Sequence, residues 1–164
     1  MMVLEMKITL VTVGKIKESY WEAAIAEYEK RLSRYCRLEI LSVADEKTPD
    51  GASAAFEAQI KEREGERILA KLRPDAYVIA LAIEGKMLDS VELARKLEGL
   101  GVSGKSQVVF VIGGSLGLSD AVLSRADMRL SFSKMTFPHQ LMRVILLEQI
   151  YRSYRIIHQE PYHK

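Results

Sequence analysis

Val108-Val109-Phe110-Val111-Ile112-Gly113-Gly114-Ser115-Leu116-Gly117-Leu118-Ser119 decides how the rest of this 164-residue chain is read. Its first five residues are apolar without a break, which suits a strand buried on both faces. Glycines follow at once, and a short helix is expected to begin at Ser119. Strand, turn and helix in that order form the repeating unit of an α/β fold, a mainly parallel sheet flanked by helices.

The neighbouring segments repeat the unit. Residues 76–83 are a second unbroken apolar run, followed by a capping-box-like pair, Asp89 and Glu92, and a helix ending near Gly99. Residues 8–13 and 38–43 read as strands. Between them Ser19 and Glu22 predict a capping box. Trp21, Ala24, Ile25, Tyr28 and Leu32 recur behind it at helical spacing and belong to the core. Residues 45–53 form a polar loop, and a helix over 54–72 stops at Pro74. Downstream, 128–132 is a weaker strand, and a last helix opens near Pro138 and runs to about Ile157, leaving 159–164 irregular. No repeat or linker divides the chain, so residues 1–164 make one domain, with 1–5 expected as a disordered extension.

Composition narrows the function classes. A chain that is 48% hydrophobic and 28% charged has the profile of an ordinary globular protein. Its single cysteine, Cys36, can make neither an internal disulfide nor a Cys-rich zinc site, and is expected as a buried thiol. The apolar run at 8–13 is too short for a signal peptide or a membrane span, which points to the cytoplasm and away from a membrane partner. His, Cys, Asp and Glu show no metal-ligand spacing, so no metal is expected. Residues 129–164 carry six basic and two acidic groups, a possible phosphate-facing surface or simply a solvated helix face.

In parallel α/β sheets ligands bind beyond the carboxyl ends of the strands. Three such ends stand out: residues 81–85 (Leu-Ala-Ile-Glu-Gly), 113–117 (Gly-Gly-Ser-Leu-Gly) and 132–139 (Phe-Ser-Lys-Met-Thr-Phe-Pro-His). Residues 113–117 match the Gly-x-Ser-x-Gly elbow of serine hydrolases, with Asp127 and His139 downstream in the right order. Against that, Leu116-Gly117-Leu118-Ser119 delays the helix that would aim the serine. The same glycines also suit close approach of backbone to a flat ligand, or a turn with no ligand at all. Neither a dinucleotide-binding Gly-x-Gly-x-x-Gly nor a phosphate-binding loop is present.

Several motifs together resemble a known family. They are residues 109–114 (Val-Phe-Val-Ile-Gly-Gly), 116–119 (Leu-Gly-Leu-Ser), 133–143 (Ser-Lys-Met-Thr-Phe-Pro-His-Gln-Leu-Met-Arg), 148–151 (Glu-Gln-Ile-Tyr) and the ending Pro161-Tyr162-His163. With the start at 6–15 (Met-Lys-Ile-Thr-Leu-Val-Thr-Val-Gly-Lys), they look like the ribosomal RNA large-subunit methyltransferase H family of the SPOUT superfamily. The likeness runs from Met6 onward.

That resemblance implies a C-terminal trefoil knot, a homodimer and S-adenosylmethionine as cofactor. It implies methylation of N3 of a pseudouridine in large-subunit ribosomal RNA within the ribosome. It places cofactor contacts at Leu81, Gly113, Phe132, Ser133, Lys134, Met135, Thr136 and Phe137, with Lys134 and Met135 contributing main chain. By position, His139 after the last of these contacts and His163 in the family-like tail are the candidate bases. Arg143 is a further catalytic candidate that with Arg152 would meet phosphate or the developing oxyanion, and Arg152, Arg155 and Tyr162 are candidate RNA contacts. A ribosome-binding factor that keeps the fold without the cofactor is the non-enzymatic alternative.

Overall fold

The structure, a computed structural model, describes residues 5–164. The expected extension over 1–5 lies outside the described residues except at Glu5, which is exposed and in no element. Strands β1 (Lys7–Val13), β2 (Arg37–Val43), β3 (Tyr77–Met87), β4 (Gln107–Ile112) and β5 (Met128–Ser131) alternate with helices. The helices are α1 (Ser19–Leu32), α2 (Ala54–Leu69), α3 (Ser90–Val102), α4 (Asp120–Arg125) and α5 (His139–Ile157). The sheet runs in the order β2-β1-β4-β3-β5, and every pairing in it is parallel. All five carboxyl ends therefore face one edge.

Period-two alternation sorts the strand side chains onto two cores. Ile8, Leu10, Phe110 and Ile112 face α1, α3 and α5, joining Leu32, Leu97, Leu146 and Ile150. Val11, Val13, Val109 and Val111 face the other way, onto Ile68 of α2 and Val122 of α4. Phe110, Ile8, Leu10, Leu32, Leu97 and Ile150 are among the largest fully buried side chains, each contributing about 1.5–3 kcal/mol. Cys36 is buried and unpaired, and burial pushes its thiol up to about 12, so it serves as a core residue.

Several local expectations hold and others shift. Asp89 and Glu92 form the capping box, each side chain accepting the other's backbone N–H at 2.7 and 2.9 Å. Ser119 caps α4 through its hydroxyl. The Ser19–Glu22 box does not form. Glu18 is the N-cap, its carbonyl receiving the N–H groups of Trp21 and Glu22, so Ser19 is already inside the first turn. Helix α2 ends at Leu69, short of the expected 72, and α3 passes Gly99 to Val102.

Strand β3 runs four residues beyond the expected end at 83. Its register against β5 slips there, Leu130 pairing with both Leu81 and Lys86. Gly85 sits in this slip. A Cβ on it would stand 2.7 Å from the carbonyl carbon of Arg129, so only glycine lets the two chains pass so closely.

Candidate functional site

The parallel sheet brings three segments to one place. Residues 81–83 after the buried part of β3, 112–117 after β4, and most of 130–139 after β5 line a cavity of about 540 Å3, which Met142 of α5 closes. Seven of the eight expected cofactor residues line it: Leu81, Gly113, Phe132, Ser133, Met135, Thr136 and Phe137. Lys134 is exposed and does not.

The turn after β4 is held closed by the Gly117 N–H donating to the Gly114 carbonyl at 3.1 Å. A Cβ on Gly113 would stand 2.9 Å from the Gly117 carbonyl carbon, so a side chain there would push the turn apart. Gly117 itself has φ +88°, a left-handed conformation suited to glycine. The 133–135 segment is shaped by the Ser133 hydroxyl accepting the Met135 N–H at 2.9 Å, while Ser131 donates to the Ser133 carbonyl. Among the described residues, no aspartate, glutamate, lysine or arginine lines the cavity, and His139 is its one titratable side chain. Such a lining accepts a flat, largely apolar group gripped by main chain.

His139 is the first residue of α5 and half-buried on the cavity wall. Burial, and next the Arg143 guanidinium one turn along, hold its imidazole below the ordinary histidine value, against the opposing pull of Asp45. It is therefore neutral near pH 7 and able to accept a proton. Arg143 is 3% exposed and does not line the cavity. Its Nη2 donates to the carbonyls of Val13 and Gly14 at 2.9 and 2.8 Å, tying α5 to the end of β1.

The remaining candidates gather elsewhere, where α5 and the C-terminal tail meet α1. Glu148 is the hub. It accepts from Arg152 Nε at 2.7 Å, from the Tyr162 hydroxyl at 2.7 Å and from the Tyr28 hydroxyl at 3.1 Å. Burial, and next the Glu148 charge, push the Tyr28 phenol up to about 12, so it stays a donor. Arg152 also lies 4.7 Å over the Tyr162 ring and 3.1 Å from His163 Nδ1. Arg155 pairs with Glu160 at 2.7 Å and donates to the Pro161 carbonyl. The structure thus unites Arg152, Arg155, Tyr162 and His163, and sets Arg143 apart on the end of β1.

The serine elbow does not assemble. Ser115 is exposed, and α4 begins only at Asp120. Asp127 accepts the Val78 N–H at 2.8 Å, at the amino end of β3, whereas His139 lies at the carboxyl edge. The sequence reading had not singled out Met142 as a site residue, although it follows His139 by three positions and so shares its helix face. It also missed Glu64, for which helix charge gave no signal, since α2 is rich in glutamate.

The model of a family described as predicted SPOUT methyltransferases matches residues 6–163. A ribosomal RNA large subunit methyltransferase H from Bifidobacterium adolescentis is 67% identical over 97% of this chain and all of its own. Proteins of the same name from Bacillus pumilus and Clostridium kluyveri are 60% and 58% identical over the same shares. Among solved structures, a Legionella pneumophila protein described as a methyltransferase with bound cofactor SAM aligns with a TM-score of 0.50. That alignment covers 90% of this chain and 66% of the other at 11% identity, a likeness of fold.

Proposed function

The chain belongs to the SPOUT methyltransferase family, and from that footing we propose that it transfers a methyl group from S-adenosylmethionine to large-subunit ribosomal RNA. The base is a pseudouridine, methylated at N3 on the ribosome, by a homodimer in the cytoplasm. The observation that carries the reading is the cavity where residues 81–83, 112–117 and 130–139 converge. Its residues fit the cofactor: Gly113 leaves no room for a Cβ, and the wall is made of apolar side chains and glycine backbone. Family membership also carries the expectation of a C-terminal trefoil knot.

S-adenosylmethionine supplies an electrophilic methyl on a positively charged sulfur. The protein supplies orientation, which is worth ~7–11 kcal/mol when reacting groups are held in line. It must also take the proton from N3 as that nitrogen attacks. His139 is the candidate acceptor, a neutral imidazole at the cavity wall. His163 is the second candidate, at the exposed tail beside Arg152. Arg143 fixes the start of α5 and so the place of His139, and Arg152, Arg155 and Tyr162 offer an RNA-facing edge once their internal partners are shared.

Labelled S-adenosylmethionine incubated with the purified protein and ribosomes lacking the modification tests this directly. One methyl, mapped to N3 of a single pseudouridine, is the expected result. Folded protein that neither binds the cofactor nor labels ribosomes would sink the reading and leave a ribosome-binding factor. Sedimentation at micromolar concentration tests the homodimer.

A further inference from the structure

Among the described residues, Glu64 is the one carboxylate that is buried, at 5% exposure, and no step above uses it. Its Oε2 accepts the Glu46 N–H at 2.9 Å. Its Oε1 stands 3.1 Å from where a Cβ on Gly114 would be, against the back of the turn that lines the cavity. The next residue, Gly65, packs so tightly on Ser119 that a Cβ there would overlap the serine hydroxyl. Arg67, one turn along α2, donates to the Ala44 carbonyl at 2.8 Å and to Glu46 Oε1 at 2.7 Å. Helix α2 thus clamps residues 44–46 through Glu64 and Arg67 and meets the 114–119 turn through Glu64 and Gly65.

Among the described residues, the cavity itself offers no carboxylate to a cationic ligand. Its back wall at Gly114 does. We propose that Glu64 is a positioning residue that selects the charge of the bound cofactor, its ionised carboxylate behind Gly114 favouring the sulfonium of the methyl donor over the neutral thioether left after transfer. This rests on the methyltransferase reading and deepens it. Buried charges act through a poorly screened medium, so one layer of backbone does not abolish the attraction.

The groups that face Glu64 are Glu46 and Asp45 from the β2–α2 loop and Arg67 from its own helix. Burial pushes its carboxyl above the usual carboxylate range. The Glu46 N–H opposes the rise, Asp45 adds to it, and Arg67 lowers it again. When the donor binds, the protonated fraction of Glu64 gives up its proton to solvent. When the thioether replaces the donor, that proton returns. Donor affinity therefore rises as pH rises through the raised value, and thioether affinity does not.

Calorimetry of the whole protein in buffers of differing ionisation enthalpy reads this without any turnover. Titration with S-adenosylmethionine at a series of pH values should release protons, and S-adenosylhomocysteine should release none. Glu64→Gln keeps the shape and an acceptor for Glu46. It should abolish the release and weaken donor binding on the order of tenfold, leaving the thioether within about twofold. Equal proton release with both ligands, or equal weakening of both by Glu64→Gln, would overturn the proposal. His139 shares the cavity, so the release must also survive His139→Ala, and its disappearance there would assign it to His139 instead. If folded wild-type protein binds neither ligand, the methyltransferase reading fails and takes this inference with it.

Discussion

The cavity at the carboxyl edge and the cluster around Glu148 both collect residues expected to act, yet they are built in opposite ways. The cavity is walled by apolar side chains and glycine backbone, with one titratable group among the described residues. The Glu148 cluster is a web of ion pairs and phenol hydrogen bonds, in which each expected RNA contact already has a protein partner. A glycine-lined space left open by packing is free to take a ligand. A cation that is already paired must exchange partners before it can bind phosphate, and these pairs are partly buried, so leaving one of their members unpaired has a cost. The first region therefore reads as binding machinery, and the second as structure that docks the tail, with any RNA contact layered on top.

The sharpest way to break this contrast is to remove one histidine from each region. His139→Ala should slow single-turnover methylation by about 10²–10⁴-fold, the usual worth of a general base. His163→Ala should slow it far less, and equal losses would dissolve the distinction. The pH profile sharpens the same point. With His139 as the proposed base its neutral imidazole would be the active form, and because it titrates below the ordinary histidine value the rate should hold at pH values below about 6.5 before it falls. A limb at or above that value would argue for a different base.

Gly113→Val should come next in size. Its side chain meets the Gly117 backbone, and overpacking of that kind costs about 1–3 kcal/mol, up to roughly a hundredfold in cofactor affinity by calorimetry. Unchanged affinity would mean the cavity is not where the cofactor sits. Glu148→Ala tests the other region through stability. It strands three donors and should lower unfolding free energy by about 2 kcal/mol in a urea titration, while cofactor affinity stays near wild type. The smallest effect is expected from Arg152→Ala on ribosome binding. A true phosphate contact would reduce the salt slope by about 0.7–0.9, whereas a purely internal arginine would leave it unchanged.

The fold was legible because its strands at 76–83 and 108–112 are apolar on both faces, a pattern only a covered parallel sheet accommodates. The capping pairs were legible only where the chain geometry agreed. Asp89 and Glu92 fit, while Ser19 lost its place to Glu18 because that carbonyl already receives the first helical N–H groups. The extension of β3 past residue 83 was hidden, since nothing local at Gly85 announces that β5 will pass within contact of it. The segments that line the cavity were marked in the sequence by glycines and family-like motifs. The commitments of Arg152 and Arg155 were not, because an arginine in sequence looks the same whether it is free or paired.

By itself, the sequence determined the alternation of strands and helices, the parallel sheet and the three glycine-marked or proline-marked strand ends, because these depend on local periodicity and backbone permission. Only the tertiary structure decided that those ends share one cavity and that Asp127 lies far from His139. It also decided that Glu64 is buried behind Gly114 rather than solvated on a charged helix. The reason is that burial, partner choice and charge environment belong to contacts between residues distant in the chain, such as Glu64 and Gly114, which local spacing does not encode.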